Sequence, residues 1–270
     1  MEDRKIQNEI NTLTGILLTV YVLTIFIDRS IVVFPIRISG FSLDINWKMI
    51  DIAAPASGLL SSLGLLQIID GKSSVKRKEL LVHGIIPFTS AFSLGVVLRN
   101  TAVGLNWWLM LFFGGFLLFL VFKAETVIVN PNDNRNVIAE IVLTGLSYAT
   151  FLITCIAVRI NLSRLILELP VIALVAFLIA VRLFVLRIPG VKHERWAVWI
   201  TVLMIQIATA LHYWPLNSLA YSVLMFLCFD VLVNSMILLS HGFSFSEIRR
   251  KQIIPVIVLF ILWIFVETIY

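Results

Sequence analysis

The sequence predicts an all-α polytopic membrane protein: a bundle of about nine transmembrane helices with a short β-hairpin-like outer loop. Three observations carry this expectation. Of the 270 residues, 60% are hydrophobic and 14% are charged, with a mean hydropathy of +1.00; soluble domains carry roughly 25% charged residues. The apolar residues fall in long runs of about 20, the length that crosses a bilayer core. The basic residues lie mostly in the connections between runs, where they set orientation.

Taken in chain order, spans are expected near 10–27, 52–70, 80–98, 104–122, 137–158, 165–187, 196–214, 217–240 and 253–269. The first span follows the mixed-charge stretch "MEDRKIQNEI" without a small-residue cleavage site, so it reads as a retained helix rather than a signal peptide. In the second, Ala54, Gly58 and Ser62 repeat every four residues, a stripe that lets two backbones approach closely. Gly114 and Gly115 offer the same to the fourth span, or a mild kink. The connections are short, and "YWPLN" (213–217) is tight enough to make its two neighbours a helical hairpin. Residues 1–270 therefore read as a single transmembrane domain, with the outer hairpin loop at 28–51.

Within that loop, "FPIRISGFSLDINW" alternates apolar and polar residues on either side of Ser39–Gly40. Period two is the strand period, and a two-residue step between such runs is a turn signal. The expected hairpin lies against the membrane surface, with Trp47 at the interface.

Orientation follows from the 21 Lys and Arg residues: with the N-terminus inside, 15 fall on the inner side and 6 on the outer. Nine crossings then put the C-terminus outside, and the plasma (cytoplasmic) membrane is the expected location. The net charge of +5 is explained by this asymmetry. Nucleic acid is excluded as a partner, because no basic run is interleaved with stacking aromatics.

Ionisable groups inside spans are costly in lipid and mark candidate sites. Asp230 in "LMFLCFDVLVNSM" is deeply placed, and Asn234 follows at i+4 on the same helical face. Arg182 lies at a comparable depth in the sixth span, and Glu140 enters from the inner end of the fifth. One reading makes Asp230 a proton or cation site balanced by Arg182. The other makes these groups a buried pair that fixes packing, and it is the favoured one.

The outer face carries more arginine than the positive-inside rule leads one to expect. Arg99, Arg159 and Arg164 lie at helix ends, Arg37 lies in the hairpin loop, and Glu168 is one turn from Arg164. Arginine suits bidentate binding of phosphate or carboxylate, so this set could hold a lipid or lipid-linked anion. Pairing with Asp28, Asp44, Asp51 and Glu168 within an aromatic belt is the plainer alternative.

Several chemistries drop out. The four histidines, His83, His193, His212 and His241, form neither HxxxH nor HExxH spacing, and the two cysteines, Cys155 and Cys228, form no CxxC pair. No metal site and no cofactor is expected. "DGKSS" has Leu66 where a phosphate loop needs glycine, and "NPNDNRN" holds one carboxylate, too few for a metal–diphosphate site. Three readings remain, in this order: a non-catalytic membrane subunit or assembly protein with a membrane protein partner; a transporter or permease for a small or lipid-like solute using Asp230 and Arg182; and a membrane enzyme acting on a lipid-linked phosphate or sugar at the outer face.

Overall fold

The computed structural model describes residues 2–27, 32–38, 41–70, 77–130, 133–162, 164–188 and 193–269. Eight helices among them are long and apolar enough to cross a membrane. The protein is thus a multi-pass helical membrane protein. By contact it divides into two compact units, Met1–Leu143 and Thr144–Tyr270.

The first unit holds helices α1 (Glu2–Ile27), α2 (Met49–Asp70), α3 (Arg77–His83), α4 (Ile85–Arg99) and α5 (Leu105–Ile128), and the start of α6 (Asn136–Asn161). Between α1 and α2, strands β1 (Val32–Ile38) and β2 (Phe41–Trp47) pair antiparallel, with Val32 opposite Trp47 and Ile38 opposite Phe41. Ser39–Gly40, Asp28 and Arg29 lie outside the described residues. Asp51 closes the start of α2, accepting from the Lys48 backbone N–H at 2.9 Å.

Lipid supplies no hydrophobic force between helices, so close packing and buried hydrogen bonds must hold them. The α2 stripe does this against α4. A Cβ on Gly95 would collide with Ala54, one on Gly58 would meet the Phe88 ring at 3.0 Å, and one on Gly84 would collide with Ser62 Oγ. Ser61 on α2 donates across to the Pro87 carbonyl at 2.9 Å. Fully buried Tyr21 on α1 donates to the Ala91 carbonyl at 2.5 Å. The glycines of α5 work similarly, Gly114 against Leu94 and Gly115 against Leu18. On α5 the buried side is Trp107, Leu111, Leu118 and Phe122, while Phe112, Phe113 and Phe116 are exposed. Such aromatics need lipid as their solvent.

The span expected at 80–98 matches the apolar span Leu80–Arg99; a turn at Gly84, where a Cβ would collide with Ser62 Oγ, divides it into α3 and α4. One boundary differs from the sequence expectation. The span expected to end at 122 runs on to Ile128. Lys123 and Glu125 therefore ride on its last turns rather than in a loop.

The second unit holds the remainder of α6, then α7 (Leu165–Arg187), α8 (His193–His212), α9 (Ser218–Ser240) and α10 (Phe245–Ile269). Phe151 on α6 stacks on Phe229 of α9 with ring centroids 4.2 Å apart, and Tyr148 meets Phe226 edge-on. The "YWPLN" turn ends at Asn217, whose side chain accepts from the Ala220 N–H at 2.7 Å and so caps α9. At its other end α9 stops in a Schellman turn: Gly242, at φ +82°, donates to Leu239 while the Phe243 N–H donates to Leu238. Ser244 and Glu247 then start α10, the Ser244 N–H and hydroxyl both donating to the Glu247 carboxylate. α10 is 25 residues long and includes the expected ninth span, but it is not one of the eight helices long and apolar enough to cross a membrane among the described residues.

Candidate functional site

In the second unit, Glu168 occupies the first turn of α7 and is fully buried. His212, at the end of α8, brings Nδ1 to 2.7 Å from Glu168 Oε2, and the Tyr221 hydroxyl from α9 donates to Oε1 at 2.5 Å. Three helix ends thus converge on one carboxylate. The Arg159 guanidinium of α6 lies over the Tyr221 ring, 5.1 Å from its centroid, and donates to the Trp214 carbonyl at 3.4 Å. The Glu168 side chain has no exposure and that of His212 has 15%. The imidazole is therefore one part of the cluster that reaches the surface, and the half-buried Arg159 is another. An imidazole Nδ1–H and a phenol hydroxyl at these distances can both donate to one carboxylate.

A similar pair lies in the first unit. Glu125, fully buried near the end of α5, accepts His83 Nδ1 at 2.8 Å, and the His83 side chain keeps 12% exposure. His83 is the last residue of α3, next to the turn at Gly84.

The other candidates separate between the two units. Asp51 pairs with Arg99 through Nε, and Arg99 Nη2 lies 3.3 Å from its second oxygen. Arg37 stands opposite Ser42 on the strand pair, and the side chain of Asp44 lies outside those described. Glu140 is half-buried near the start of α6. In the second unit Asn234 donates to Asp230 at 2.7 Å and accepts from Arg187 at 3.0 Å, with Tyr148 close to Asp230. The arginine seen to reach this network is Arg187, while Arg182 is fully buried on the same helix. Arg164 is exposed at the head of α7, where its carbonyl accepts from the Glu168 N–H. Of the outer arginine set, Arg159 and Glu168 meet, through Tyr221.

The sequence passed over Glu125 and Tyr221, and weighed His83 and His212 only as metal ligands. Among the described residues no group of three or more His, Cys, Asp or Glu side chains is placed to hold a metal ion.

Comparison with curated proteins and with solved structures gives no match. Residues 29–269, which include both glutamate–histidine pairs, match the family described as "Protein of unknown function (DUF5656)". The chain belongs to that family.

Proposed function

We propose that this protein is a non-catalytic membrane subunit or assembly protein of the plasma membrane, with its N-terminus inside and C-terminus outside. One observation carries the reading: four of its acidic groups in or at the ends of the helices are engaged by side chains of their own unit. Glu125 has His83, Glu168 has His212 and Tyr221, Asp51 has Arg99, and Asp230 reaches Arg187 through Asn234. Breaking a buried pair costs about 3–5 kcal/mol, so groups engaged in this way serve packing first. The enzyme reading asks for arginines turned towards a substrate, and Arg99 is occupied by Asp51. Purification in mild detergent followed by cross-linking and mass spectrometry tests the proposal. A stoichiometric membrane protein partner supports it; a homogeneous, active chain on its own overturns it.

A second reading, a permease, is favoured by the half-buried Asp230–Asn234–Arg187 chain, which places ionisable groups on one network inside the helices. It predicts solute flux in proteoliposomes that Asp230→Asn abolishes.

A further inference from the structure

At the end of the first unit where α1 finishes and α2 begins, a cavity of about 340 Å³ opens between helix ends. Its volume falls within the range of small-ligand sites, roughly 300–1,000 Å³. Lys48 and Arg99 line it, together with Thr24, Asn100, Thr101 and Trp107. Asp51 already balances Arg99, so among the lining residues Lys48 leaves one formal positive charge. Trp107 brings the first turn of α5 to the same wall, the positive end of a 24-residue helix dipole. The rest of the wall includes Ile25, Ile50 and Leu98. A cavity with one formal positive charge and Ile25, Ile50 and Leu98 in its wall, set at the ends of membrane helices, can take a phosphate carried on an apolar body.

We propose that this cavity binds a phosphate group, that of a membrane phospholipid, with Lys48 as the charge that retains it. The site is independent of the assembly reading, since it asks nothing of a protein partner.

The test uses the full chain in mild detergent, incubated with dioleoyl phosphatidic acid or with dioleoylglycerol, which differs from it by the phosphate. Bound lipid is read by native mass spectrometry. The expected result is retention of phosphatidic acid over dioleoylglycerol, lost about tenfold in Lys48→Ala and kept in Lys48→Arg, as for a charge-assisted bond. Equal retention of the two lipids overturns the proposal, and so does unchanged retention in Lys48→Ala. If Lys48→Ala fails to fold, Lys48→Gln, of similar length and without the charge, gives the same reading. Competition with inorganic phosphate separates the two sources of the group. Phosphatidic acid that survives the competition identifies the lipid as ligand, and displacement identifies the free anion, which overturns the phospholipid assignment.

Discussion

The two units each bury one glutamate against one histidine, and they do so at opposite ends of a helix. Glu168 stands in the first turn of α7, where the helix dipole favours negative charge, and His212 stands in the last turn of α8, where it favours positive charge. Glu125 stands near the end of α5, where the dipole opposes negative charge, with His83 its bonded partner from α3. The Nδ1–carboxylate distances are nearly the same, 2.7 and 2.8 Å, and so are the histidine exposures. What differs is the position on the helix; in the second unit Tyr221 also donates to Glu168, and Arg159 lies behind it.

That difference can be broken by mutation. Glu168→Ala leaves His212 and Tyr221 without their acceptor and should cost about 3–5 kcal/mol. Glu125→Ala removes the acceptor of the His83 bond and should cost on the same order, about 3–5 kcal/mol. Thermal unfolding of both variants in one detergent reads the two losses, and an unchanged midpoint in either would show that its pair does not hold the fold. Tyr221→Phe sharpens the point, with an expected cost of about 1–3 kcal/mol. Made in a Glu168→Gln background, the same change should cost clearly less, because the two groups act on one bond.

Glycines give a second contrast between the units. Gly95 faces Ala54 so closely that Gly95→Val should destabilise by about 1–3 kcal/mol through overpacking. At Gly145, in the second unit, a Cβ would have no neighbour within 4 Å, and Gly145→Ala should stabilise by about 0.5–1 kcal/mol. Denaturation by sodium dodecyl sulfate reads both, and equal signs would contradict the packing described.

The smallest effect lies in the connection before α6. Hydrogen bonds from the Arg135 side chain and backbone hold the Asp133 carboxyl below its ordinary value of 3.8. A carboxyl lowered on folding stabilises above its unfolded value and loses that contribution as pH falls through the lowered one. The Asp133 carboxyl should therefore titrate below 3.8 when followed by its own NMR chemical shift, and Arg135→Ala should move it back towards the ordinary value.

Much of the helical frame is legible in the sequence, because apolar runs, small-residue stripes and i+4 pairs are local patterns. Ala54, Gly58 and Ser62 face α4, and Asn234 bonds to Asp230. Chain reversal at "YWPLN" needs only its own few residues. The glutamate clusters are not legible in this way. Glu125 is 42 residues from His83, Glu168 is 44 from His212, and no periodicity links side chains on separate helices. The length of α5 hides Glu125 further, since its apolar pattern weakens at Lys123 although the helix continues. Gly84 reads as one more small residue in a span, and no local pattern marks the turn there. The division into two units falls inside α6, between Leu143 and Thr144, where composition gives no sign of it.

The turn from α9 to α10 has a kinetic consequence. Its bonds join residues between Ile237 and Ile248, so reversing the chain there requires no distant contact. Closing so short a loop carries little entropic cost and takes on the order of 10–100 ns. The pair α9–α10 can therefore form as a hairpin before the Glu168 cluster assembles from α7, α8 and α9. Mutations at Gly242 or Ser244 should accordingly slow the formation of this hairpin, whereas those at Glu168 should act mainly on how long the finished unit lasts.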